Sequence, residues 1–461
     1  MRSTCSFLLA LALVVFPASR AWGKPEPGWI SLKKGRPRAK GIGGVVVLTN
    51  LSAGQGRKAV LTFAKQRTAR ILRFKKRDVA STARELARIG PEYVVVAVTP
   101  TTVDINFHFE MLELCRNLDG DPMPDFLFGY LCARDKDDMQ ALVDRVLKTT
   151  RKHAQPVADV VALSGTGEHL AKYDFILHFG HGQPWRVDKG LTGEQIGKLQ
   201  LPRNPVVFSG ACFNGVLSRS YHPCAYQLIY LKPRLIAPEK LMTLNWVHAG
   251  VSGYLAALEG DRGEMAMAEW DYFRERACSL GEVIGYQYRL AFTSLPTDFK
   301  GFPRYVPGKR KLMSFYNVML RGMVSRILLS DPAYRPLSAP LDEPATVVAT
   351  RYDPTSKTLE VKLEVKRWSQ GQMLNYLPKP PSDRFDRRLY VRAAVPAAAV
   401  GRLGEPLIRV MHENKAVEIT RHHLRHEVWG GSRYLNLQIE APPGRIGKPG
   451  VTVTWTFPVK R

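Results

Sequence analysis

Between residues 45 and about 336, short and wholly apolar runs alternate with segments of helical spacing, and this alternation constrains the fold more than any other feature. The runs are VVVLT, YVVVAVT, DFLFGY, ADVVAL, DFILHF, NPVVFS and GVSGYLAAL. A strand that is apolar on both sides must be covered on both faces, so the pattern predicts a largely parallel sheet between layers of helix. The helical segments are DVASTARELARIG, which ends on Gly90, DKDDMQALVDRVLKTT, which opens on acids, and GEMAMAEWDYFRERAC, with apolar residues at helical spacing.

Past Pro336, Pro340 and Pro344 the period changes. KTLEVKLEVKRW, YLNLQIEA and VTVTWTFPV alternate apolar and polar residues, as half-buried antiparallel strands do. Residues 343–461 therefore read as a small β-sandwich. No internal repeat is visible.

The chain opens with Arg2, an apolar run over residues 7–16, and small residues at Ala18, Ser19, Ala21 and Gly23. That is the layout of a secretory signal peptide over 1–23, too short to span a bilayer. Residues 24–42 are basic and rich in Gly and Pro, a flexible lead-in. The later sequence has no apolar stretch long enough for a membrane helix, so the mature chain is expected to be exported and soluble. The full sequence of 461 residues, 45% hydrophobic, suffices for two or three domains. Without Cys5 the cysteines number five (Cys115, Cys132, Cys212, Cys224 and Cys278). An odd set in an exported protein points to one functional or unpaired thiol, with disulfides among the others allowed. The net charge of +26 favours anionic surfaces such as envelope polymers or lipid head groups. It is spread along the chain without a zinc-finger, basic-helix or RNA-binding signature, so no specific nucleic-acid partner is expected.

Two runs end in residues that can do chemistry. NPVVFS runs into GACFNG, placing Cys212 at the carboxyl end of a strand, where open α/β sheets hold ligands. DFILHF runs into Gly180-His181-Gly182. If the two strands are neighbours, His181 and Cys212 leave the sheet at one edge, where an imidazole can activate a thiol. A structural cysteine and a packed histidine fit the spacing nearly as well. The other signals are weaker. His422 to His426, in HHLRH, read as a surface cluster rather than a metal site. SAGQGRK lacks the full phosphate-loop spacing, and His178, His181 and Cys212 lack a fourth ligand for zinc.

His-Gly after one apolar block and Ala-Cys after another resembles the caspase-like (clan CD) cysteine peptidases, and this version is similar to the gingipain family. The matching residues, in chain order over residues 121–336, are DFLFGY before an acidic helix, GHGQPW, ACFNG, HPCAYQL and ILLSDPAYRP. The resemblance implies a caspase-like α/β peptidase domain over 43–336, divided into 43–135 and a catalytic 136–336, then an immunoglobulin-like sandwich over 343–461. It implies Cys212 as nucleophile, His181 as general base, and the Gly182 and Cys212 amides as oxyanion donors. His178 is then a core residue and Trp185 a wall of the substrate cleft. Glu259 or Asp261 could bind a cationic side chain, or belong to a solvated loop. The family's segment before the His-Gly strand is shortened here. Glu168 and Asp174 are the local acids, and the catalytic acid stays unassigned. A large pro-segment has no counterpart. The expected function is a secreted cysteine endopeptidase acting on polypeptides without a cofactor, calcium being at most a structural ion. The alternative is a catalytically weak relative that binds at the envelope.

Overall fold

In a computed structural model, the described residues are 44–118, 124–148, 163, 165–187, 190–221, 234–260, 263–294, 300–302, 318–341, 346–366, 388–399, 401–429, 432–442 and 445–460. The expected signal peptide, the lead-in, most of the ADVVAL run, Cys224, Asp261 and HPCAYQL after its histidine's predecessor Tyr221 lie outside them.

Apolar runs form the strands β1 (Val45–Thr49), β3 (Tyr93–Ala97), β4 (Leu127–Leu131) and β5 (Phe175–Gly180), and a strand outside those runs, β2 (Arg70–Arg73), lies beside β1. Two short pairs follow: β6 (Gly182–Gln183) with β7 (Arg186–Val187), and β9 (Ser220–Tyr221) with β10 (Arg234–Leu235). Between and after them come β8 (Val206–Ala211), β11 (Gly253–Ala257) and β12 (Arg326–Leu329). Eight of these strands build one sheet in the order β2-β1-β3-β4-β12-β11-β8-β5. β5, β8 and β11 run parallel to one another, as do β2, β1, β3 and β4, while β12 is antiparallel to β11. The mostly parallel sheet agrees with the expectation from unbroken apolar strands. β3, β4, β8 and β11 are buried along their whole length.

Helices cover the sheet: α1 (Arg57–Gln66), α2 (Ala83–Ile89), α3 (Ile105–Arg116), α4 (Lys136–Lys148), α5 (Gly193–Ile196), α6 (Met242–Ala249), α7 (Glu264–Arg276), α8 (Leu280–Ser294) and α9 (Val318–Ser325). Local signals set their ends. Gly90 closes α2 in the left-handed conformation, and the Asp104 carboxylate caps α3 by accepting the Phe107 N–H. Trp246 of α6 and Trp270 and Phe273 of α7 fill the core around β5 and β8.

The C-terminal part is antiparallel. β13 (Thr346–Asp353), β14 (Thr358–Val365), β16 (Arg402–Leu403), β17 (Leu407–His412), β18 (Lys415–Ala416) and β21 (Thr452–Lys460) form one sheet. β15 (Arg388–Ala394), β19 (Arg421–Trp429) and β20 (Ser432–Glu440) form another. Leu359, Val361 and Leu363 of β14 and Trp455 and Phe457 of β21 share one apolar cluster with Leu389 of β15 and Leu435, Leu437 and Ile439 of β20. The period-2 pattern therefore does what it predicts, with alternate residues of two sheets meeting in a core separate from that of the α/β part. HHLRH lies along β19, where His422 is exposed.

Candidate functional site

β5 and β8 are immediate neighbours, in a parallel register that pairs His178 with Ser209 and Gly180 with Ala211. His181 and Cys212 are the next residue on each strand, so both leave the sheet side by side at the carboxyl edge. The two loops touch. A Cβ on Gly182 would fall into the Cys212 carbonyl oxygen and stand 2.8 Å from its amide nitrogen. Only glycine allows that approach, which explains the residue behind the histidine.

The Cys212 turn is built onto the end of β11. The Phe213 N–H donates to the Glu259 carbonyl (2.8 Å) and the Gly215 N–H to the Ala257 carbonyl (2.7 Å). Reversing the chain there puts Phe213 in the left-handed region, with φ +60°. A bulky residue in that region stores of order 1–3 kcal/mol of backbone strain, of the kind that clusters at reactive sites. Cys212 itself is half-buried and His181 is exposed.

The His181 side is equally constrained. Past Gly180 the chain makes the tight β6–β7 pair, with Pro184 and Trp185 at its turn. The Pro184 carbonyl accepts the Met242 N–H at the start of α6 (2.7 Å), and the Trp185 carbonyl accepts the Gly193 N–H at the start of α5 (2.8 Å). Trp185 is half-buried and meets Tyr221 edge to face at 6.1 Å, and Tyr221 meets Phe213 at 5.6 Å. The three rings form a wall beside Cys212. Nothing in RSYHP or ACFNG marks Tyr221 and Phe213 as partners of Trp185.

Asn214 is the residue that joins the loops, and sequence reasoning missed it. Fully buried, it donates from Nδ2 to the Gln183 carbonyl (2.7 Å) and accepts at Oδ1 from the Ser209 hydroxyl (3.4 Å). Its own carbonyl accepts from Thr243 (2.5 Å) and Tyr254 (3.1 Å). A lone Asn between Phe and Gly reads as a turn residue, and only the strand pairing shows what it reaches.

The two histidines part company. His178 lies within β5, whereas His181 follows its last residue, Gly180. His178 is fully buried, stacked on Trp246 at 6.3 Å, and neither ring nitrogen has a hydrogen-bond partner. Burial, and then the Arg326 charge, push its pKa down to about 3, so it stays neutral in the core. Cys115, Cys132 and Cys278 are buried thiols, so the disulfides left open among them do not form. Burial pushes all three thiols well above their ordinary range.

The acids fall in different places. Asp174 precedes β5, at the end of the strand opposite to His181, and is held by Arg203 at 2.5 Å. Glu168 is exposed beside a cleft of about 390 Å³ that Gln195 and Lys198 also line. Glu259 is buried beneath the Cys212 turn. Among the described residues no group of three His, Cys, Asp or Glu side chains could hold a metal ion, and no helix is long and apolar enough to cross a membrane.

No family model matches this chain, and neither does any curated protein sequence. The chain is similar to solved structures at low identity. One, described as a protease, is 9% identical, with a TM-score of 0.44 over 86% of this chain and 90% of that one. The complex of the pro- and mature domains of RgpB from Porphyromonas gingivalis is 11% identical, with a TM-score of 0.42 over 87% and 93%. The Arg-specific cysteine proteinase gingipain R is 10% identical, with a TM-score of 0.43 over 91% and 98%.

Proposed function

We propose that this chain is an exported, gingipain-like cysteine endopeptidase working through Cys212 and His181. The observation that carries the reading is the contact of Gly182 with the Cys212 backbone, which sets His-Gly and Ala-Cys against each other at the ends of paired parallel strands. In this reading His181 takes the Cys212 proton, and the sulfur adds to the scissile carbonyl carbon. The Gly182 and Cys212 N–H groups receive the developing oxyanion. Collapse expels the amine, which leaves with the proton from His181, and water then hydrolyses the thioester. The wall of Trp185, Tyr221 and Phe213 bounds one side of the cleft, and Glu259 belongs to its floor. The reaction needs no cofactor, and calcium would act only as a structural ion. Export rests on residues 1–23, and attraction to anionic envelope surfaces on the net charge of +26.

A second reading, a catalytically weak relative that binds at the envelope, draws on the acids: Asp174 is committed to Arg203, and Glu168 stands before β5. One experiment separates the two. Purified chain and its Cys212→Ala variant are incubated with a peptide library and a thiol-directed covalent probe. The peptidase reading expects cleavage and labelling that the variant loses. Identical peptide pools with Cys212 unlabelled would overturn the peptidase reading.

A further inference from the structure

The geometry points to Asn214 as a positioning residue for the Cys212–His181 pair, a role that rests on the peptidase reading above. The two loops come from different strands and have no covalent reason to stay in register past the sheet edge. A hydrogen bond from Asn214 supplies a non-covalent one. Asn214 sits two residues after Cys212, and its Nδ2 reaches across to the Gln183 carbonyl, two residues after His181, at 2.7 Å. A carbonyl oxygen can only accept, so the amide nitrogen must face it. The amide oxygen then faces Ser209, whose hydroxyl donates to it at 3.4 Å. Ser209 is anchored in turn, because Arg326 donates to its carbonyl at 3.1 Å from within the buried Arg326–Glu269 ion pair. The Asn214 backbone is pinned by the Thr243 and Tyr254 hydroxyls. The side chain is thus held at both ends inside the protein, and its one bond to the other loop lies beside the reacting pair.

A displacement of about 1 Å in such a pair costs up to about 100-fold in rate. Asn214→Ala in the full chain is therefore expected to lower kcat by about 10- to 100-fold with KM within about twofold. A purely structural role would not move the second readout, the pH dependence of Cys212 alkylation by iodoacetamide, followed on the Cys212 peptide by mass spectrometry. The profile of Asn214→Ala should coincide with that of His181→Ala, because the thiol has lost its imidazole. Ser209→Ala, which frees the amide to turn, should move the profile the same way by less, and it stands in if Asn214→Ala does not fold. A wild-type profile in folded Asn214→Ala, or in Ser209→Ala where the first variant fails to fold, overturns the proposal. So does a wild-type chain whose profile already coincides with that of His181→Ala, since no coupling then exists to be held. Wild type that cuts no peptide but shows a His181-dependent profile lost in Asn214→Ala sinks the peptidase reading and leaves the positioning role standing.

Discussion

His178 shows how a residue type can mislead when its surroundings are unknown. A histidine three positions before the proposed base invites a metal or relay role, yet it is sealed in the core on Trp246 and kept neutral. The energetic consequence appears at acid pH. With a folded pKa of about 3 against an ordinary 6.5, the unfolded chain binds a proton that the folded chain refuses. The stability this group carries is complete above about pH 6.5 and is lost as pH falls toward 3, at about 1.4 kcal/mol per pH unit. His108, buried between Tyr130 and the Val324 carbonyl and also pushed down to about 3, adds a second such proton. His178→Phe keeps a ring on Trp246, so urea unfolding at several pH values should show an acid limb shallower by about 1.4 kcal/mol per unit. Stability at neutral pH, and any peptide cleavage, should stay near wild type. An unchanged acid slope would mean that His178 is not held neutral.

Among the elements, legibility followed periodicity. β1, β3, β5, β8 and β11 announced themselves as unbroken apolar runs, and α4 and α7 by helical spacing between charged ends. α3 and α6 did not, because burial around most of their circumference leaves INFHFEMLELCR and MTLNWVHA without a polar face to give a stripe. β2 is a short edge strand, RILR, too exposed and too charged to read as one. β12 is apolar like its neighbours, and no residue in RILL reveals that it runs against β11. The site was half legible for the same reason: Cys212, His181 and Gly182 lie at strand ends, whereas Asn214 acts through a contact that only the strand order creates. β12 also carries the least expected interaction of the core, the fully buried Arg326, paired with Glu269 of α7 and donating to the Ser209 carbonyl of β8. Removing one partner leaves the other charge uncompensated, so Glu269→Leu should cost about 3–5 kcal/mol. The Glu269→Leu/Arg326→Leu pair should recover at least half of that, as measured by urea unfolding. Equal losses in the single and double variants would show that the helix, not the ion pair, holds β12 in place.

At the scale of the whole molecule, two cores lie in one compact unit, joined among the described residues by polar contacts and a small apolar patch. Glu282 of α8 takes Arg335 at 3.0 Å and Arg392 of β15 at 3.8 Å, and Arg276 of α7 reaches the Thr346 hydroxyl at 3.4 Å. The apolar share is a small patch where Tyr434 of β20, with Arg392 over its ring at 3.9 Å, packs on Tyr93 and Leu127. Uncovering two such side chains in part is worth about 2 kcal/mol, far less than either core contributes by itself. The carboxyl ends of β5 and β8, with Cys212 and His181, are tied to α5, α6 and β11 and borrow none of these contacts. A chain ended at Leu341, whose N–H is still fastened to the Arg274 carbonyl at 2.7 Å, should therefore fold, with its melting temperature lowered by about 4–8 °C. Alkylation of Cys212 should remain dependent on His181, and any peptide cleavage should persist within a few-fold. If truncation abolished the cooperative transition, the β-rich part would be an integral half of one folding unit; a melting temperature retained with Cys212 no longer coupled to His181 would mean that it shapes the site from a distance.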